Sequence, residues 1–177
     1  MPILLNMTGF VACWLMLAIG AFNNLVWLAL LIVAGWAWLN LHYSLNRRSD
    51  LQLLFLCVLI GPLPDIFLLS QGLIQYAPTS GLDYYPPLWL PAMWANFALI
   101  LNRSLRWLYA HKFGMRLMGR CAGPASYVLG EFLGCVELQP PALSSYLLIA
   151  GSWALIWYTR SLYMQRQQQA ESLNATA

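Results

Sequence analysis

The sequence predicts an all-α fold: a polytopic membrane bundle of six transmembrane helices with both termini in the cytoplasm. Three observations predict it. Apolar runs of about twenty residues recur along the 177-residue chain, the length a helix needs to cross about 30 Å of hydrocarbon. Only 8% of residues are charged and 60% are hydrophobic, whereas a soluble domain is roughly a quarter charged. All nine Lys and Arg residues fall on one side of the six-span topology, and cationic loops stay cytoplasmic.

The spans follow from the apolar runs and their breakers. The first covers Ile3–Ala21 and turns at Asn23-Asn24. It lacks a basic leading region, so it reads as an uncleaved helix rather than a signal peptide. The second covers Leu25–Tyr43 and stops at Asn46-Arg47-Arg48-Ser49-Asp50. The third, Leu51–Leu73, precedes the longest loop, Gln75–Pro87, which is broken by Pro78, Gly81 and Pro86-Pro87. The fourth is Leu88–Tyr109, with His111-Lys112 at its exit, and the fifth is Met115–Val136, ending before Gln139-Pro140-Pro141. The sixth is Leu143–Tyr163. Residues 1–164 form a single transmembrane domain and 165–177 a polar cytoplasmic tail.

Charge sets the orientation. Arg47 and Arg48 lie between spans two and three; Arg103, Arg106, Lys112, Arg116 and Arg120 surround the turn between four and five; Arg160 and Arg166 belong to the end of span six. The turns after spans one, three and five carry no Lys or Arg, so they face outward. Aromatic residues are expected to mark the two interfaces. Trp89, Tyr84 and Tyr85 fall at the outer one, and Trp107, Tyr109, Trp157, Tyr158 and Tyr163 at the inner one. Trp36 and Trp38 read as inner-belt members or as core packing, with packing favoured. The net charge of +3 then reflects orientation, with no nucleic-acid partner. Cys13, Cys57, Cys121 and Cys135 stand singly in apolar stretches and read as buried small hydrophobes, with no metal site and no cofactor. The triplets beginning at Asn6, Asn102 and Asn174 read as chance matches to a glycosylation signal.

Function is sought where polar groups oppose the membrane, because an ionisable side chain near mid-bilayer costs at least about 2.5–3.5 kcal/mol. Asp65 lies ~14 residues into span three, roughly 21 Å from its cytoplasmic end. It follows Gly61-Pro62-Leu63-Pro64, and two prolines so close together break the helix and free backbone groups. Asp65 is therefore a ligand candidate or the cap of the second half-helix. Glu131 lies near the outer end of span five on one stripe with Arg120, Gly123, Tyr127 and Gly134. Asn96 lies about 12 Å in from the outer end of span four. Asp65, Asn96, Tyr127 and Glu131 are the candidate ligand-binding set, since their matching depths allow one shared pocket. His42, Arg103, Arg106 and Arg120 are candidates for binding anionic headgroups at the inner boundary.

One internal echo stands out. Gly61-Pro62 and Gly123-Pro124 sit about ten residues into spans three and five, which both run outward, with Asp65 and Tyr127 each four residues past the glycine. The pattern hints at a repeated hairpin.

The segments Gly61-Pro62-Leu63-Pro64-Asp65, Pro87-Leu88-Trp89-Leu90, Met93-Trp94-Ala95-Asn96-Phe97-Ala98 and Gly123-Pro124-Ala125-Ser126-Tyr127, with Gly130 and Gly134, together resemble an uncharacterised family of bacterial inner-membrane proteins. The resemblance covers nearly the whole chain and brings no activity. Members of that family tend to be encoded near enzymes that modify membrane fatty acids, which implies a lipid-related role. A looser resemblance is to multi-pass lysoplasmalogenases, which use intramembrane aspartates on a lysolipid.

Three functions stay open. The first is handling or modifying a membrane lipid, as an enzyme or an accessory to one. The second is a structural or partner-binding subunit, working with a membrane protein or a second copy of the chain. The third is a small proton-coupled transporter.

Overall fold

The computed structural model describes residues 2–77, 86–107, 111–141, 143–155 and 157–158. The tail 165–177, Arg160, Arg166, Tyr84, Tyr85, Tyr109 and Tyr163 lie outside the described residues, as does most of the long loop. The described chain is mainly helical: α1 Ile3–Phe22, α2 Val26–His42, α3 Arg47–Ile60, α4 Leu63–Ser70, α5 Trp89–Leu101, α6 Lys112–Phe132 and α7 Leu143–Leu155. Two short strands, β1 Ile74–Tyr76 and β2 Val136–Leu138, pair antiparallel.

Local chemistry accounts for the boundaries. Asn24 turns the chain between α1 and α2 with φ 56, a left-handed conformation that Asn tolerates. Asn46 caps α3, its side chain accepting the Ser49 N–H at 3.2 Å. The third expected span is broken at Gly61-Pro62 into α3 and α4, because Pro62 and Pro64 have no N–H to give to the preceding turn. Helix α5 ends at Leu101, well before the expected Tyr109. There Asn102 and Ser104 direct their side chains to other helices, and the Leu105 N–H returns to the Ile100 carbonyl at 3.0 Å. Spans three and five also end sooner than expected, since residues 74–76 and 136–138 are strands. The all-α expectation therefore gains a two-stranded ribbon.

Two helical stretches, Ile3–Phe22 and Arg47–Ser70, are long and apolar enough to cross a membrane; α2, α5 and α7 are apolar but shorter. The outward faces are apolar as well: Leu4, Trp27, Leu31, Phe55, Phe132 and Leu143 are all exposed. Soluble monomers rarely display so much contiguous apolar surface.

Helix α5 is the central element, packed against α1, α2 and α3. Its Trp89, Leu90 and Trp94 join Leu17, Leu68, Ile74, Val136 and Ile149 in one core, and its Ala98, Ile100 and Leu101 join Leu53 and Trp157 in another. Two expected interface aromatics are thus corrected: Trp89 and Trp157 are buried in the core at 2% and 3% exposure, while Trp107 and Tyr158 are exposed. Trp36 packs over Gly9, and Trp38 is exposed, stacked on His42. Of the cysteines, Cys13 and Cys135 are buried, Cys57 is half-buried and Cys121 is exposed.

The echo between spans three and five extends into the structure at a constant spacing of 62 residues, the separation of Asp65 and Tyr127. Helices α4 and α6 end alike, on Gly72 (φ 64) and Gly134 (φ 73) in the left-handed region. The Leu73 N–H returns to Leu68 O at 2.9 Å and the Cys135 N–H to Gly130 O at 3.0 Å. With Gly72 N–H to Leu69 O and Gly134 N–H to Glu131 O, each end is a complete Schellman motif. The strands that follow meet at Gln75 opposite Glu137, equivalent positions of the two units. The flanking bonds are equivalent too: Ala77 N–H to Cys135 O at 3.1 Å and Gln139 N–H to Leu73 O at 2.9 Å. Residues 61–77 and 123–139 are therefore two units whose ends, 68–77 and 130–139, are related by a pseudo-twofold axis through the ribbon; upstream they differ, since Gly61-Pro62 breaks its helix and α6 runs unbroken through Gly123-Pro124.

Candidate functional site

Asp65 lies where the two units meet. It occupies the first turn of α4, directly after the proline break, and is 1% exposed. Its carboxylate accepts three side-chain donors from three other elements. Oδ1 takes the Tyr76 hydroxyl of β1 at 2.7 Å and the Tyr127 hydroxyl of α6. Oδ2 takes the Trp94 indole N–H of α5 at 3.3 Å. Burial, and then the adjacent Asp65 carboxylate, push the Tyr76 hydroxyl well above its ordinary pKa, so Tyr76 stays a donor. A carboxylate held this way is an acceptor with about one of its four lone-pair positions left.

Asp65 forms part of the wall of a cavity of about 400 Å³. Phe10 and Trp14 of α1, Trp89 and Met93 of α5, and Trp153 of α7 also line it. The Trp94 and Trp153 rings lie against each other, 5.3 Å between centroids, and Phe97 stands 5.3 Å from Trp153. Glycine makes this approach possible: a Cβ at Gly61 would overlap Trp94, and one at Gly123 would overlap Trp153. Among the described residues, the lining contains one carboxylate and no Lys, Arg or His. An apolar pocket with a few convergent polar groups is the usual form of a small-molecule site.

The other expected ligand residues are placed elsewhere. Asn96 is fully buried and faces α1, donating to the Phe10 carbonyl at 2.9 Å. Glu131 accepts the Leu138 N–H at 3.0 Å and the Tyr146 hydroxyl at 2.6 Å, tying α6 to β2 and α7. It borders a second, more polar cavity with Gln75 and Glu137. The structure thus brings Asp65 and Tyr127 together and keeps Asn96 and Glu131 apart from them.

The headgroup candidates differ in exposure. Arg103 is held inward, its Nη2 donating to the Asn40 carbonyl at 2.6 Å and lying 3.7 Å from Asp50. His42, Arg106 and Arg120 are exposed. Arg103 belongs to a polar network that ties together the start of α1, the end of α2, the start of α3 and the segment after α5. Asn6 Nδ2 donates to Asn40 Oδ1 at 2.8 Å, and the Ser104 hydroxyl donates to Asn6 Oδ1 at 2.6 Å. Asn102 Nδ2 and the Ser44 hydroxyl donate to Asp50 at 2.9 and 2.7 Å.

A family model described as a protein of unknown function, DUF2878, matches residues 3–159. The chain belongs to the DUF2878 family. No curated protein and no solved structure matches it. The DUF2878 match covers both units of the internal repeat and every residue around Asp65.

Sequence reasoning singled out Asp65 and Tyr127 in this DUF2878 chain but missed their partners. Tyr76 fell in a loop and Trp94 in an apolar run, where nothing local marks a donor aimed at a distant carboxylate. Asn6, Asn102 and Ser104 were noticed only as parts of glycosylation-like triplets. The usable signal was a polar residue, Asn6, inside an otherwise apolar first span.

Proposed function

We propose that this DUF2878 protein is a multi-pass protein of the bacterial inner (plasma) membrane that binds the apolar part of a membrane lipid in the cavity beside Asp65. The observation that carries this reading is the cavity itself: about 400 Å³, walled by apolar and aromatic side chains, with a single carboxylate among the described lining residues. In this reading all six helical passes cross the bilayer, with α3–α4 as one broken pass and both termini cytoplasmic. The cationic turns on one side and the apolar outward faces support it. Broken helices at membrane depth are tolerated where they line a cavity or are covered by protein, which is the situation at Gly61-Pro62. The lipid is bound, and the protein presents or modifies it for enzymes acting on the same membrane.

The test is mass spectrometry of lipids co-purified with the wild type and with Ala122→Phe, which adds a ring to the cavity wall. The expected result is a lipid class enriched over bulk membrane in the wild type and reduced in the variant. Bulk lipid in both samples would sink the reading. In that case the polar clusters are fasteners of a structural or partner-binding subunit, the role Glu131 already fills with both carboxylate oxygens.

A further inference from the structure

We propose that the cavity selects an amphiphile with a cationic end, a protonated amine or quaternary ammonium, held between the Asp65 carboxylate and the surrounding aromatic rings. This deepens the lipid-binding reading and rests on it.

Three observations lead there. The first is a buried carboxylate with no cation beside it. Asp65 is buried, its three donors are neutral hydroxyl and indole groups, and it has no cationic partner among the described residues. Neutral donors orient a carboxylate without cancelling its charge, and a carboxylate buried without a cation either takes up a proton or is held ionised by a cation brought to it. The ion pair of the described residues, Arg103 with Asp50, lies elsewhere, in the network with Asn40 and Asn102.

The second is the composition of the wall. Trp14, Trp89, Trp94, Trp153, Phe10 and Phe97 line the same space as Asp65. A cation within about 6 Å of such a ring is attracted to its face, most strongly for Trp, and the attraction grows to about 2 kcal/mol or more once water is excluded. An anionic end would meet the carboxylate and find no Lys, Arg or His in the described lining. A neutral end would gain at most the one acceptor position left on Asp65 and nothing from the rings' electrostatics.

The third is size. About 400 Å³ lies within the roughly 300–1,000 Å³ range of small-molecule sites. It accommodates one head with part of a chain, so head charge rather than total chain length decides the selection.

The experiment uses the full chain in maltoside micelles and three probes with the same brominated dodecyl chain: a trimethylammonium, an alcohol and a sulfate. Trp27, Trp38 and Trp107 meet the micelle directly, so entry among the cavity's indoles is read as the quenching of tryptophan emission that the wild type shows beyond Ala122→Phe, whose added ring occupies the cavity wall. The expected result is an affinity for the ammonium at least about tenfold above the alcohol, with the sulfate weakest. In Asp65→Asn the ratio of ammonium to alcohol affinity falls to about one. Asp65→Glu, which keeps the charge, retains the advantage and serves if the amide variant fails to fold. Trp153→Leu lowers the preference several-fold with the carboxylate intact. Equal binding of the three probes, or preference for the sulfate, would overturn the cationic class and leave the cavity reading standing. Quenching by all three probes that is no greater in the wild type than in Ala122→Phe would overturn both.

Discussion

Asp65 shows how one acceptor organises several elements. Its partners come from β1, α5 and α6, so the strand, the central helix and the second unit are all referred to one carboxylate. Hydrogen bonds to charged groups contribute about 1.5–3 kcal/mol each, and an orphaned buried partner costs about 1–3 kcal/mol. Tyr127→Phe removes one donor cleanly and should lower stability by about 1–2 kcal/mol, read as a fall in melting temperature in detergent. Glu131→Gln should cost less, about 0.5–1.5 kcal/mol, because the amide oxygen still accepts the Leu138 N–H and its NH2 can donate to the Tyr146 hydroxyl oxygen, so chiefly the charge assistance is lost. The two variants part in what they do to the cavity. Tyr127→Phe should change probe affinity, since Tyr127 lines the cavity, whereas Glu131→Gln should leave it unaltered. Probe binding that falls equally in both would mean that Glu131 acts on the cavity after all.

At the level of elements, close approach depends on glycine and aromatic partners placed opposite each other. Gly61 receives Trp94 and Gly123 receives Trp153, and the two indoles then meet at 5.3 Å. Gly35 of α2 has open space where a Cβ would stand. Overpacking a closed site costs typically about 1–3 kcal/mol, while Gly to Ala in an open helix position gains up to about 1 kcal/mol. Gly61→Ala and Gly123→Ala should therefore lower the melting temperature, and Gly35→Ala should keep or raise it. Equal behaviour of the three would mean that the indoles yield without cost. The helices themselves were legible in the sequence, because apolar runs and breakers such as Asn23-Asn24 and Gly61-Pro62 act locally. The strands were not. Ile74–Tyr76 and Val136–Leu138 are three residues each, too short for periodicity, and each is a strand only because the other lies beside it. Trp89 and Trp157 misled for a different reason, since an interface belt and an aromatic core draw on the same residues.

For the whole molecule, the repeat places chemistry on the axis and then breaks the symmetry. The backbone of residues 68–77 and 130–139 is matched in the Schellman bonds and the ribbon register, whereas upstream α6 runs unbroken through Gly123-Pro124 where α3 and α4 part at Gly61-Pro62. The side chains are not: Asp65 corresponds to Tyr127, Tyr76 to Leu138, and Leu69 to Glu131. In the proposed topology both units run outward, so the axis stands along the membrane normal, as in parallel-repeat membrane proteins. A site on such an axis is composite, because one unit supplies the acceptor and the other a donor. Only half of this was visible in the sequence. The glycine-proline echo was, whereas the contact between equivalent residues needs the fold. It yields a sharp consequence. Asp65→Tyr alone puts two hydroxyls together, and Tyr127→Asp alone puts two carboxylates together, so each should destabilise strongly. The double variant restores one carboxylate and one hydroxyl across the axis, with Leu138 where Tyr76 stood and Trp153 where Trp94 stood, so the Tyr76 donor stays lost and the indole donor must come from Trp153. Its melting temperature should recover at least about half of the summed loss, a positive coupling that sites without contact do not show. Additive losses in the double variant would mean that Asp65 and Tyr127 are not interchangeable across an axis, and that the backbone repeat does not extend to the site.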